Sequence, residues 1–266
     1  MAISKDTLPI PCNTVKEWEI CVESWKFFKT ASLGKIPQVM IAWTGDVFEG
    51  LYKSAIMIQG RNAALDDDVS FIIAHQAQNG HKLPCHPGCS ACCKQAITAN
   101  LFEAVLVGIY LIKYPETCDT FLEKYILWDK ETKNTRDSFM DWAQQRYAAN
   151  FDDGRFRYTD FRAPCPFLVD DLCQIYPVRP YCCRSYLAIS NNCEHPASPD
   201  EIPGFTGIDV GSYTDFKQHN NKLLESLWGH FGIDQKRTRV RLLPDLVYRF
   251  LNGDSEELLK YCMTAD

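Results

Sequence analysis

Asn100-Leu-Phe-Glu103-Ala-Val-Leu-Val-Gly-Ile-Tyr-Leu-Ile-Lys-Tyr-Pro115 is the stretch that decides the fold. An asparagine suited to capping is followed three residues later by a glutamate, and an almost wholly apolar run continues to Ile112. That order predicts a helix over 101–112, buried on most sides and stopped by Pro115. The run carries Glu103 and is too short to cross a bilayer, which needs about 20 residues. A helix buried this way needs other helices around it, and the flanking sequence supplies them. Helix is expected across 45–77, and amphipathic segments follow at 118–128 and 135–149. Trp18, Cys21, Val22, Trp25 and Phe28 share one helix face, and Leu223, Leu224, Leu227, Trp228 and Phe231 share another. Pro244 suits a helix start and Asn252-Gly253 its end.

The middle of the chain breaks this pattern. In Cys165-Pro-Phe-Leu-Val-Asp-Asp-Leu-Cys-Gln-Ile-Tyr176, short apolar runs flank Asp170-Asp171. A small β-hairpin with the acidic pair at its tip is expected, with Cys165 and Cys173 roughly opposed on paired strands. Pro177 and Pro180 then end the strand and seed a turn or short helix carrying Cys182 and Cys183. The segment 191–213, rich in Pro, Gly, Ser and Asp, reads as a long connection or lid. The expected fold is mainly α with a small β-hairpin, a helical domain built around a split cysteine cluster. Its parts are an N-terminal helical segment 1–84, a cysteine-cluster core 85–195 and a C-terminal helical segment 196–266, together one compact domain.

Composition bounds the function. The chain has 266 residues, 46% of them hydrophobic, enough for a sizeable core without staples. A formal net charge of -6 lacks the basic footprint of a nucleic-acid binder. The first residues contain no uninterrupted apolar run of the secretory kind, so a cytoplasmic protein with no membrane span is expected.

Thirteen cysteines are then the chemical signal. An odd count, the expected compartment and the length argue against a disulfide framework. The residues cluster in two groups: Cys85-His-Pro-Gly-Cys89-Ser-Ala-Cys92-Cys93, and Cys165, Cys173, Cys182, Cys183 and Cys193. The two-residue gap from Cys89 to Cys92 lets a turn bring two sulfurs to one metal, and Pro87-Gly88 supplies a bend for Cys85 to join them. Cys92 and Cys93 are adjacent and diverge, so one of them faces a second metal, a bridging position or the core. Thiolates suit zinc, copper(I) and iron–sulfur clusters. So many thiolates in one pocket would reprotonate unless cations were bound. Cys12, Cys21, Cys118 and Cys262 lie outside both groups and read as small buried side chains.

The spacing Cys85-x3-Cys89-x2-Cys92 matches the three-cysteine loop of radical S-adenosylmethionine enzymes, which holds a four-iron (4Fe-4S) cluster. The repeated strand–helix units that follow that loop are missing here. Taken with Cys93, Cys165-Pro-Phe-Leu and Cys173-Gln-Ile-Tyr-Pro-Val-Arg-Pro-Tyr-Cys-Cys183-Arg-Ser-Tyr, the chain resembles the YkgJ-type cysteine-cluster family of zinc- or iron-chelating proteins. The resemblance covers roughly residues 85 to 195. It implies Cys85, Cys89, Cys92, Cys93, Cys165, Cys173, Cys183 and Cys193 as metal ligands, with an iron–sulfur cluster or iron, alternatively zinc, as the cofactor. It leaves Cys182, His86 and His195 open. A weaker likeness to flagellin lysine-N-methylases keeps an S-adenosylmethionine-dependent protein or peptide methylase in view, although no glycine-rich nucleotide loop is present. The function expected is a metalloprotein, redox or modifying, with a small-molecule or protein substrate; the alternative is a structural zinc module.

Other residues carry paired readings. Arg179 and Arg184 could stabilise thiolates or bind an anion, or make salt bridges to Asp170, Asp171 or Glu194. Tyr176 and Tyr186 read first as core, then as hydrogen-bond donors to sulfur. His75 and His81 are expected in a solvated loop, and Asp66-Asp67-Asp68 at a helix end or cap.

Overall fold

The computed structural model describes residues 46–80, 83–85, 88–145, 163–188, 207–210, 216–253 and 255–263. The proposed N-terminal helix face at 18–28, Cys12, Cys21 and His81 lie outside them.

Helix α1 runs over Val47–Gln78 and is opened by Asp46, whose carboxylate accepts the Glu49 N–H at 3.1 Å. Asp66-Asp67-Asp68 do not end this helix, contrary to expectation. Leu65, Val69 and Ile72 keep its apolar stripe buried straight through the acidic triplet, and Asp66 is paired with Arg184. His75 sits exposed in the last turn of α1 rather than in a loop.

Helix α2, Leu101–Lys113, is the expected central element and begins with a complete capping box. Asn100 Oδ1 accepts the Glu103 N–H at 3.1 Å while Glu103 Oε2 accepts the Asn100 N–H at 3.0 Å. Phe102 packs its ring 4.8 Å from that of Trp228, and Gly108 lies directly beneath Phe250. Pro115 both ends this run and begins the next helix, α3 (Pro115–Gln145). The two segments predicted at 118–128 and 135–149 are one continuous helix as far as 145, because no residue between them breaks the ladder.

The hairpin is present as strands β2 (Leu168–Val169) and β3 (Leu172–Cys173). Asp170 and Asp171 take φ of 49° and 60°, the left-handed pair that a two-residue turn between twisted strands requires. Two strands of two residues cannot stand alone. The hairpin is held against α3 by the Phe121–Phe167 stack, centroids 4.4 Å apart, and by Lys124 Nζ donating to the Leu168 carbonyl at 2.6 Å. The register corrects one expectation: Cys173 faces Leu168, and Cys165 lies before the strand.

After the hairpin, a 3-10 turn at Tyr176–Val178 leads into the short helix α4, Tyr181–Ser185, as the prolines suggested. The remaining helices are α5 (Phe216–His230), α6 (Leu243–Asn252) and α7 (Ser255–Tyr261). Leu223, Leu227 and Trp228 face inward from α5. Two further antiparallel pairs were not foreseen. Thr98–Ala99 (β1) pairs with Arg241–Leu242 (β6), and Tyr186–Ala188 (β4) pairs with Gly207–Asp209 (β5). The second pair puts a strand inside the segment read as a connection. Its remaining residues, 191–206 and 211–213, lie outside the described ones.

The fold is therefore mainly α, with a minor antiparallel part. One hydrophobic cluster takes members from α1, α2, α3, α5, α6 and α7, with α2 packed between α1 and α6. Among the described residues, no helix is long and apolar enough to cross a membrane.

Candidate metal centre

The first cysteine group lies on the connection between α1 and α2. Gly88 provides the bend, with φ of 89°, and a 3-10 turn at Ala91–Lys94 presents Cys92 and Cys93. The second group arrives on the hairpin and on α4. Hydrogen bonds join them. The Cys165 N–H donates to the Cys93 carbonyl at 2.7 Å, and Ser90 Oγ donates to Asp171 Oδ1 at 2.7 Å, which latches the hairpin tip to the first loop.

The thiols take distinct positions within this frame. Cys85 Sγ accepts the Ala188 N–H at 3.1 Å, so the start of the first group is tied to β4. Cys89 is half-buried. Cys182 Sγ donates to the Thr98 carbonyl at 3.0 Å and stands 3.9 Å from Cys183 Sγ. Cys183 in turn lies within electrostatic range of Cys92, Cys165 and Cys173, and Cys93 within range of Cys165 and Cys183. Five of the eight proposed ligands, Cys92, Cys93, Cys165, Cys173 and Cys183, thus come into one neighbourhood. Cys193, His86 and His195 lie outside the described residues. No disulfide joins the cysteines among the described residues, and Cys262, directly after α7, is buried as expected.

Ionisation divides the cluster. The thiol of Cys93 hydrogen-bonds to Cys92 and lowers it to about 7; the Arg179 guanidinium adds to this. Donating that bond, together with burial, pushes Cys93 well up. Burial raises Cys165 strongly and Cys173 to about 11, and Cys183 is raised by its bond to Cys182 and by burial. Metal-free, Cys93, Cys165, Cys173 and Cys183 hold their protons at neutral pH, whereas Cys92 ionises in that range. The donor set itself is soft and suits a thiolate-seeking ion. Among the described residues, no three His, Cys, Asp or Glu side chains are arranged so that they could hold an ion as they stand. Loading a metal would draw these sulfurs together and release protons.

The side chains that position α4 were invisible to motif reading. Glu103, expected as a cap partner, is buried and receives four hydrogen bonds. Its Oε2 takes the Asn100 backbone and Nδ2 donors at 3.0 and 2.8 Å; its Oε1 takes Arg61 Nη2 and the Tyr181 N–H, both at 2.7 Å. Arg61 is fully buried and also donates to Asn62 and Asn220. One carboxylate therefore joins α1, α2 and the residue next to Cys182-Cys183. The local sequence signal for Glu103 was the capping box.

The arginines differ from expectation in their partners. Arg184 pairs with Asp66 of α1 and donates to the carbonyls of Arg179 at 2.7 Å and Pro177 at 2.5 Å. Its partner is not in the hairpin because Arg184 points from α4 toward α1. Arg179 makes no salt bridge to Asp170 or Asp171; it stacks on Tyr176, with the guanidinium carbon 3.9 Å from the ring centroid. Tyr176 and Tyr186 are exposed rather than in the core, because both lie on the outward side of a surface segment.

Comparison with known protein families, with curated proteins and with solved structures gave no match.

Proposed function

We propose that this chain is a cysteine-cluster metalloprotein of the YkgJ type. It would hold iron, an iron–sulfur cluster or zinc through Cys85, Cys89, Cys92, Cys93, Cys165, Cys173, Cys183 and Cys193. The observation that supports it is the convergence of Cys92 and Cys93 with Cys165, Cys173 and Cys183 across a long stretch of intervening chain. Buried thiols this close repel one another once ionised, and a bound cation removes that penalty. A metal with an open position would supply redox chemistry or activate a bound substrate. The chain's own contribution is to hold the sulfurs on short elements clamped to α2 and α3.

A structural role has its own support. The hairpin and the first loop contain little regular structure among the described residues. A thiolate-bound metal worth about 10–16 kcal/mol in small zinc peptides would fasten both at once.

The test is anaerobic purification of the full chain, metal analysis and a visible spectrum, repeated for Cys89→Ser and Cys183→Ser. Each substitution should reduce the content of the same metal. Wild-type protein with no stoichiometric metal would refute the proposal. Brown protein with broad visible absorption identifies an iron–sulfur cluster; colourless protein with stoichiometric zinc identifies the structural site.

A further inference from the structure

Among the described residues, the two buried arginines and the half-buried Arg136 answer to carboxylates, whereas the half-buried Arg179, Arg239 and Arg241 meet none. Arg61 is paired with Glu103 at 2.7 Å, Arg136 with Asp245 at 2.7 Å, and Arg184 with Asp66. Arg179 is half-buried, its Nε is enclosed without a hydrogen-bond partner, and among the described residues no carboxylate meets its guanidinium. The residue is nonetheless firmly placed. Its guanidinium lies on the Tyr176 ring at 3.9 Å, and its carbonyl is gripped by Arg184 Nε at 2.7 Å. Arg184 is anchored to α1 through Asp66. Cys92, Cys173 and Cys183, one from each of the three elements that carry the cluster, lie within electrostatic range of Arg179, as does Arg184, whose own charge is met by Asp66.

We infer that Arg179 is the built-in counter-charge of the cysteine cluster, a positioning residue whose guanidinium offsets the negative charge that Cys92, Cys173 and Cys183 acquire as they bind metal. Several thiolates on one divalent ion leave net negative charge in a poorly solvated pocket, and a fixed cation beside them stabilises that state over the empty one. Arginine suits the task because it stays protonated and lies flat on Tyr176. The inference rests on the metalloprotein reading.

Co(II) is the probe, since its thiolate complexes give charge-transfer bands that report sulfur ligation directly. The metal-stripped full chain is titrated with Co(II) without oxygen, for wild type, Arg179→Met and Arg179→Lys. Arg179→Met should bind at least about tenfold more weakly, the equivalent of one pKa unit of lost interaction. Arg179→Lys should recover more than half of that loss on a logarithmic scale, which a merely steric role would not produce. Should Arg179→Met fail to fold, Tyr176→Leu, which frees the guanidinium but keeps its charge, replaces it; a severalfold weaker binding is expected. Wild-type affinity in Arg179→Met or in Tyr176→Leu, or a lysine variant as weak as the methionine one, overturns the inference alone. A wild-type chain that shows no thiolate–Co(II) band overturns it together with the metalloprotein reading.

Discussion

Replacing Glu103 by glutamine tests whether one carboxylate holds the centre of the molecule. The amide keeps the size and shape of the side chain but offers one acceptor oxygen in place of two. If that oxygen stays toward Arg61 and the Tyr181 N–H, the new NH2 group confronts the Asn100 N–H and Nδ2, and the capping box is lost. If it turns the other way, an NH2 group faces a guanidinium that is completely excluded from water. Either way Arg61 keeps its charge without a counter-charge. Removing one partner of a buried ion pair costs about 3–5 kcal/mol, out of a typical total of roughly 5–15 kcal/mol. At about 2–4 °C per kcal/mol for chains approaching this size, the melting temperature should fall by about 6–20 °C. Thermal and urea unfolding followed by far-UV circular dichroism, at matched metal content, measure the melting temperature and the free energy. The double variant Arg61→Met/Glu103→Gln should be more stable than the two single losses predict, by about 0.5–3 kcal/mol. A Glu103→Gln loss below about 1 kcal/mol, or a double variant that is simply additive, would refute the reasoning.

Gly108→Ala should destabilise by about 1–3 kcal/mol despite a better helix propensity, because the added methyl would stand 2.1 Å from Phe250 Cδ1; a thermal melt checks it, and Phe250→Leu in the same background should restore part of the loss. In metal-stripped protein, alkylation of Cys92 should reach half its maximal rate at a pH of about 7 rather than 9. Its folded-state pKa is lowered, so thiolate is present above that pH and lost below it, and Cys93→Ala should move the midpoint upward. Chelator treatment should raise hydrogen exchange in 83–95 and 163–188 while α2 stays protected within the apolar core; uniform loss of protection would contradict this.

Legibility in the sequence followed the range of the interactions. The start of α2 was readable because its capping box is closed within four residues, and the hairpin because its tip needs two adjacent residues with positive φ. Asp66-Asp67-Asp68 misled because a local acidic run resembles a cap, whereas its first member answers to an arginine 118 positions away. Strands β1 and β6 are two residues long, too short to show a period of two, and their pairing is fixed by α2 and α6 packing beside them. In the candidate site, cysteine spacing identified the groups but not their order in space. That Cys173 opposes Leu168 rather than Cys165 depends on a register which composition does not carry.

The bond from the Cys165 N–H to the Cys93 carbonyl has a bearing on sequence drift. Both atoms belong to the main chain, so the joint between the two halves of the cluster is indifferent to the side chains at either position, proline at 165 excepted. A sulfur on one side can be exchanged for an imidazole or a carboxylate without parting the loop from the hairpin. Descendants of this chain are free to vary the donor atoms of the cluster while inheriting the same scaffold.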